Sequence, residues 1–163
     1  MYKSILSCPI GTLEVLASDN GITRITLNSQ NSESSESNKH SDEACDQLRE
    51  YFKGIRKRFD VVLDLGGTDF EQAVWNQLLQ IPYGKTTSYG NLARKLSSIK
   101  AVRAVGRANG KNPIPIIVPC HRVIGSNGSL TGYALGLKTK QFLLNLEQPG
   151  VFGTQLALFK SDL

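Results

Sequence analysis

Alternating apolar and polar residues near the start of the chain predict a small antiparallel β-sheet. Two such runs cover residues 2–7 and 12–17, and a third covers residues 22–27. The turn sequence Pro9-Ile10-Gly11 separates the first two runs. Short connections of this kind favour hairpin pairing between neighbouring strands.

A change of pattern follows the predicted sheet. Residues 29–42 contain almost no apolar side chain, which predicts a mobile loop. Residues 42–54 carry apolar side chains at helical spacing, with Asp42 as a candidate N-cap. Residues 59–65 predict a further strand, which ends before a pair of glycines. We therefore expect a first α/β domain of residues 1–67.

Helical spacing of apolar residues dominates the second half and predicts four helices. The first begins at Thr68 or Asp69, and the others cover residues 88–96, 100–109 and 137–147. The second and third are joined by a short turn, as in a helix-turn-helix motif. The predicted fold class is therefore α+β, with a mostly helical second domain of residues 68–163.

Positive charge is concentrated in this second half. Between Tyr83 and Glu147 there are ten Lys or Arg residues and one acid, Glu147 itself. A basic domain with a helix-turn-helix pattern is typical of nucleic-acid-binding proteins, although a solvated basic face gives the same composition. The helix at 100–109 carries small residues beside Arg103 and Arg107, which favours sequence-independent or minor-groove docking over base reading.

Composition argues against several other classes of protein. The three cysteines and two histidines form no CxxC pair and no metal-ligand pattern, so neither disulfides nor a structural zinc is expected. The apolar runs are too short to span a bilayer. We expect an intracellular protein, in the cytoplasm of a prokaryote or the nucleus of a eukaryote.

The segment Pro119-Cys120-His121-Arg122-Val123 is the strongest chemical signal in the chain. An imidazole and a guanidinium directly follow the thiol, and both favour a nucleophilic thiolate. The alternative is a buried cysteine that acts as a small apolar side chain. The glycine-rich stretch after this segment suits a pocket walled by loops.

This segment and its surroundings resemble the O6-alkylguanine-DNA alkyltransferases. The similarity extends upstream through Ile81-Pro82-Tyr83-Gly84-Lys85 and Arg103-Ala104-Val105-Gly106, and downstream through Gly132-Tyr133 to Glu147. It is strong over residues 69–150 and looser in the first half. The resemblance implies a ribonuclease-H-like first domain and a winged-helix-like second domain.

The resemblance also implies direct repair of alkylated DNA. Cys120 would accept the alkyl group from a flipped O6-alkylguanine in a single turnover, with O4-alkylthymine as an additional candidate. His121 would activate the thiol through a water, because neighbours in an extended chain point to opposite faces. Glu147 would orient His121, and the Tyr89 hydroxyl would donate to the purine ring. No cofactor and no metal are expected.

Two further groups of residues acquire roles through the resemblance. In the substrate pocket, Asn112 would brace the loop, and the carbonyls of Val123 and Cys120 would read the exocyclic amine. Tyr133 would form one wall, and the Ala134 N–H would meet the guanine oxygen. Leu135 would narrow access for bulky adducts. DNA would contact Arg103 as the finger that enters the base stack, together with Tyr89, Arg107, Arg122, Lys85 and Arg94. Arg122 has a structural salt bridge between the two halves as its alternative.

The expected partner is double-stranded DNA that carries O6-alkylguanine, and no membrane is involved. The protein would be a monomer in solution, with cooperative loading on DNA left open. Three other functions compete with this interpretation: a recognition-only protein that recruits other repair factors, a cysteine hydrolase, and a transcription regulator. Recognition-only relatives lack the cysteine, a hydrolase leaves the arginine-bearing helix unexplained, and a regulator would need dimerisation elements and base-reading side chains.

Overall fold

The computed structural model describes residues 1–28 and 35–152. Contacts within the chain divide it into two units. The first comprises residues 1–66 and 113–115, and the second comprises residues 67–112 and 116 onwards. None of the helices in the described ranges has the length and apolar character that crossing a membrane requires.

A three-stranded antiparallel sheet forms the centre of the first unit. The strands are β1 (Tyr2–Cys8), β2 (Gly11–Ala17) and β3 (Ile22–Asn28), in that spatial order. The alternation read from the sequence places one side chain in two against the core. Leu13 and Val15 of β2 are fully buried on that face. The three predicted strands are therefore confirmed, with each boundary within one residue.

Helix α1 (Lys39–Phe52) packs on this sheet but begins earlier than the sequence indicated. Asn38, not Asp42, is the N-cap, and its side chain accepts from the Ser41 N–H in a capping box. Asp42 instead accepts from the Ser4 hydroxyl at 2.8 Å. The predicted loop 29–42 is thus wrong at its C-terminal end, since residues 39–42 are helical. Residues 29–34 lie outside the described part of the chain.

The described residues show no strand at 59–65, where one was predicted. Among them, this segment makes only a single parallel bridge, between Leu63 and Ile22. A side chain takes the place of a strand partner nearby. Gln47 donates to the Asp60 carbonyl at 3.0 Å and accepts from the Asp60 N–H at 2.8 Å. Gln47 thus satisfies both backbone polar groups of Asp60. In the described ranges, backbone pairing with β3 is limited to Ile22, whose N–H donates to the Val62 carbonyl and whose carbonyl accepts from the Asp64 N–H.

The second unit is mainly helical. It contains α2 (Asp69–Leu78), α3 (Tyr89–Leu96), α4 (Val102–Gly110) and α5 (Leu137–Glu147). Two short strands, β4 (Thr87–Ser88) and β5 (Val123–Ile124), pair in parallel. The α+β class predicted from the sequence is confirmed, and α3 and α4 form the expected pair of helices joined by a short turn.

Helix α2 begins at a capping box and holds α4 by one buried hydrogen bond. Thr68 caps α2 in a capping box with Glu71. Trp75 of α2 is buried, and its indole N–H donates to the Ala108 carbonyl of α4 at 2.8 Å. This bond satisfies a carbonyl in the last turn of α4 while it joins the two helices. The helix that carries Arg103 and Arg107 therefore rests on a rigid support.

Candidate active site

The backbone that leads into the cysteine is strained. Ile116 has a φ of 77°, in the left-handed region that a β-branched residue rarely adopts. Its side chain is fully buried, which holds this conformation in place. A single turn of 3-10 helix, Cys120–Arg122, follows at Pro119. The expectation of an extended chain at Cys120 and His121 was therefore wrong, and extended structure begins only at Val123.

The Cys120 thiol is almost entirely enclosed. It is 2% exposed, and burial raises its pKa to about 11. A hydrogen bond from the Asn112 side chain and the positive charge of Lys140 act in the opposite direction. Asn112 also donates to the Val118 carbonyl at 2.7 Å. Because its pKa is raised, the resting thiol is protonated at neutral pH.

His121 and Glu147 form a buried pair. The His121 Nε2 lies 2.7 Å from Glu147 Oε1, and His121 is fully buried. Burial lowers the pKa of His121, although the hydrogen bond and charge of Glu147 oppose this effect. A neutral ring therefore carries its proton on Nε2, which donates to the carboxylate, and keeps Nδ1 as an acceptor. Nδ1 has no partner among the described residues.

Glu147 accepts from two further groups. The Arg122 Nε donates to Oε2 and its Nη2 to Oε1, both at 2.9 Å, and the Gly84 N–H donates to Oε2 at 3.3 Å. Burial would raise the pKa of Glu147, but the hydrogen bonds and charges of His121 and Arg122 outweigh it and hold the pKa at about 2. Glu147 is therefore a permanent anion at neutral pH, and its position is fixed from three sides.

Arg122 is buried and is not placed to contact a DNA phosphate. It is 6% exposed, and its Nη1 donates to the Ile81 carbonyl at 2.7 Å. With the two bonds to Glu147, its guanidinium is committed to the protein interior. Arg122 therefore forms a structural salt bridge, which was the alternative to a DNA contact. This salt bridge does not join the two halves of the chain, because Ile81 and Glu147 lie in the same unit as Arg122.

Lys140 is a site residue to which sequence reasoning gave no role. It is fully buried, and its Nζ donates to the Val123 carbonyl at 2.7 Å and to the Thr131 carbonyl at 2.9 Å. Burial lowers its pKa to about 8. A signal was present in the sequence, because Lys140 and Glu147 occupy positions i and i+7 of the stripe that contains Leu143 and Leu144. Charged residues on a core stripe indicate partners inside the protein.

An open cleft of about 450 Å³ lies along α4. Its lining comes from α3, α4 and the loop before α5: Tyr89, Val102, Arg103, Gly106, Asn109, Gly110, Thr131, Gly132 and Tyr133. The pKa values of the Tyr89 and Tyr133 hydroxyls are raised, chiefly by burial and further by the negative charge that Cys120 carries as a thiolate. Ala134 and Leu135 continue the loop directly after Tyr133.

The remaining basic candidates are on the surface. Arg103 and Arg107 are exposed on α4, Arg94 is exposed on α3, and Lys85 is exposed in the turn before β4. Arg94 donates to the Asn91 side chain at 3.1 Å, and its other groups face solvent. Unlike Arg122, these four side chains are accessible to a phosphate backbone.

The described residues contain no group of three or more His, Cys, Asp or Glu side chains placed to hold a metal ion. The site is instead built from a thiol, an imidazole, a carboxylate and two tyrosines beside a basic helix. That set of groups can activate a thiol as a nucleophile next to an open cleft.

Two family models match the chain in sequence. The 6-O-methylguanine DNA methyltransferase, ribonuclease-like domain, matches residues 1–65, and the DNA binding domain of the same family matches residues 69–149. The chain belongs to the 6-O-methylguanine DNA methyltransferase family. The first model describes a ribonuclease-like domain, in agreement with the ribonuclease-like fold that the resemblance implied for the first domain.

Two relatives from the 6-O-methylguanine DNA methyltransferase family are matched over almost their whole length. The methylated-DNA–protein-cysteine methyltransferase of Methanosarcina acetivorans is 46% identical, with 90% of this chain and 98% of the relative covered. The constitutive enzyme of Bacillus subtilis is also 46% identical, with coverage of 90% and 95%. The crystal structure of Mycobacterium tuberculosis OGT in complex with DNA has a TM-score of 0.85 at 45% identity, with 98% and 99% of the two chains covered.

Proposed function

We propose that this protein repairs DNA by direct reversal of alkylation. It binds double-stranded DNA, turns an O6-alkylguanine out of the duplex, and transfers the alkyl group to Cys120. The observation that carries the proposal is the buried pair of His121 and Glu147 next to a cysteine, beside a cleft on a helix-turn-helix motif. The similarity to a DNA-bound member of the family supports DNA as the partner.

The chemistry explains the choice of a thiol. A thiolate is a soft nucleophile suited to attack on a saturated carbon. The Cys120 sulfur forms a bond to the alkyl carbon while the carbon–O6 bond breaks, and its electron pair passes to the guanine. The departing base takes up a proton and becomes ordinary guanine. The product is a thioether, which has no simple route to hydrolysis, so each protein molecule acts once.

Activation of the thiol falls to His121. Its Nδ1 is a buried acceptor without a partner among the described residues, and its Nε2 proton is held by Glu147. A water between Sγ and Nδ1 can carry the proton from the thiol to the ring. The carboxylate then stabilises the imidazolium that forms. The raised pKa of Cys120 makes this proton transfer necessary, because little thiolate exists beforehand at neutral pH.

The cleft supplies a place for the flipped base. Tyr133 forms one wall, and the Tyr89 hydroxyl, which donates to the Thr131 carbonyl at 3.3 Å in the free protein, turns to the purine ring. The Ala134 N–H stabilises the negative charge that develops on O6. Leu135 limits the size of the alkyl group. The carbonyls of Cys120 and Val123 face the exocyclic amine.

The basic surface binds the duplex. Arg103, exposed at the edge of the cleft, fills the gap that the flipped base leaves, because a planar guanidinium can stack between bases. Lys85, Arg94 and Arg107 contact phosphates. Arg122 is excluded from this set because it is buried against Glu147. We expect a monomer in solution.

Intact-protein mass spectrometry after mixing with a duplex that carries O6-methylguanine tests the proposal. We expect a gain of one methylene unit on the Cys120 peptide, saturating at one per protein. Cys120→Ser should give no gain, whereas Cys8→Ser, at a half-buried thiol in the other unit, should react normally. Lesion-preferring binding without transfer would overturn the proposal in favour of a recognition-only protein. Multiple turnovers with acyl substrates would favour a hydrolase.

A further inference from the structure

Asn109 is a buried amide at the edge of the proposed base pocket. It lies on α4, is 4% exposed, and contributes to the lining of the cleft between Arg103 and Tyr133. Its Oδ1 has no hydrogen-bond partner among the described residues. A buried acceptor without a partner is costly, so such an atom calls for an explanation by function.

The other end of the Asn109 amide faces Tyr89. The Asn109 side chain acts to lower the pKa of the Tyr89 hydroxyl against the larger effect of burial, as a donor directed at the phenol oxygen does. Only the Nδ2 group can donate, so Oδ1 is the end directed away from Tyr89. The Tyr89 hydroxyl in turn donates to the Thr131 carbonyl. In this orientation Oδ1 is available to a ligand.

The acceptors expected to read an exocyclic amine already have partners in the free protein. The Val123 carbonyl accepts from Lys140 Nζ at 2.7 Å, and the Cys120 carbonyl accepts from the Val123 N–H. Each carbonyl retains a second lone pair, but neither is an empty acceptor. Two buried oxygens of the described cleft residues lack a partner, Asn109 Oδ1 and the Tyr133 hydroxyl. The hydroxyl can act as donor or acceptor, whereas Asn109 Oδ1 can only accept.

We propose that Asn109 Oδ1 accepts a hydrogen bond from one N–H of the exocyclic N2 amine of the flipped O6-alkylguanine, while the carbonyls of Cys120 and Val123 share the other N–H, and that this contact selects guanine over thymine lesions. The proposal rests on the function proposed above. The ring nitrogen N3 and the N2 amine lie on the same edge of guanine, so the neighbouring side chains of Tyr89 and Asn109 can contact both. O4-alkylthymine has no N–H on its base and leaves Oδ1 unpaired.

A substrate with one group removed tests this contact directly. Single-turnover transfer rates are measured for wild type and Asn109→Leu, on duplexes with O6-methylguanine and with O6-methylhypoxanthine, which lacks only the N2 amine. In wild type, loss of the amine should slow transfer by about tenfold, the value of one hydrogen bond left unmade in a buried site. In Asn109→Leu, the ratio of the transfer rate on O6-methylguanine to that on O6-methylhypoxanthine should be smaller, because only the backbone carbonyls then contact the amine.

A second ratio checks the selectivity. The preference for O6-methylguanine over O4-methylthymine should fall in Asn109→Leu by a similar factor. Asn109→Met, with an unbranched side chain that adapts to irregular space, replaces the leucine variant if thermal unfolding shows that the latter is not folded. An amine penalty that is equal in wild type and in the folded variant would overturn this inference. Absence of transfer by wild type would instead overturn the proposed function.

Discussion

Lys140 Nζ donates at 2.7 Å to the carbonyl of Val123, which lies three residues after Cys120. Its second bond, at 2.9 Å, reaches the Thr131 carbonyl, which also accepts from the Tyr89 hydroxyl. One buried ammonium thus joins the segment that follows Cys120 to the loop that walls the cleft. When Tyr89 turns towards a base, Lys140 keeps the Thr131 carbonyl satisfied.

Replacement of Lys140 should therefore impair the reaction more than folding. Lys140→Met leaves two carbonyls without their donor and removes a positive charge that lowers the pKa of Cys120. We expect single-turnover transfer to slow by about tenfold or more, the effect of at least one lost charged hydrogen bond. Lys138→Met, at an exposed lysine of the same helix, is the matched control. Equal rates for the two variants would contradict this role.

Replacement of Arg122 should affect stability and leave the salt dependence of DNA binding unchanged. Arg122→Met leaves the Glu147 carboxylate buried without its bidentate partner, which should lower the free energy of unfolding by about 3–5 kcal/mol. Chemical denaturation measures the loss. In contrast, Arg94→Met should leave stability nearly unchanged and reduce the salt slope of binding by about one ion. A reduced slope in a folded Arg122→Met would restore Arg122 as a phosphate contact.

Protonation of His121 should make folding sensitive to mildly acidic pH. Burial lowers the pKa of His121 below its ordinary value of 6.5, so the unfolded chain binds a proton first as the pH falls. The stabilisation is complete above pH 6.5 and is lost at up to about 1.4 kcal/mol per pH unit as the pH falls below it. In His121→Gln this slope should decrease. His40→Gln, at the other histidine, is the control, and equal slopes in both variants would contradict the prediction.

The Glu147 carboxylate adds a second loss at lower pH. Its pKa is held at about 2 in the folded protein against an ordinary value of 4.5. The corresponding stabilisation is present above pH 4.5 and declines as the pH falls from there towards 2. Denaturation curves recorded across this range should separate the two effects. Glu147→Gln should remove the lower one and enlarge the upper one, because the carboxylate opposes the lowering of the His121 pKa.

Reactivity of Cys120 without DNA should be low and should rise steeply with pH. Because burial raises the thiol pKa to about 11, the thiolate fraction grows by about tenfold per pH unit through neutral pH. Peptide-resolved alkylation by iodoacetamide measures the rate at Cys120. A rate that levels off near neutral pH would mean that His121 already holds the proton in the free protein, contrary to the neutral ring derived from its surroundings.

Several features of the molecule follow from local sequence. The β-strands at the start of the chain and helices α2 to α5 were predicted within a few residues, because strict apolar alternation and helical spacing specify which face meets a core. The errors arose where a side chain replaced a backbone partner. Asn38 caps α1 earlier than the polar stretch suggested, and Gln47 satisfies the backbone of Asp60 where a strand was expected.

The chemistry divides in the same way between sequence and structure. Residue type and order alone single out Cys120, His121 and a basic helix-turn-helix, since a thiol beside an imidazole has few other uses in such a context. The pairing of His121 with Glu147, the burial of Arg122 and Lys140, and the unpartnered oxygen of Asn109 depend on residues far apart in the chain. Burial and hydrogen-bond partners are properties of packed neighbours, so only the tertiary structure decides which charge is a contact for DNA and which one holds the site together.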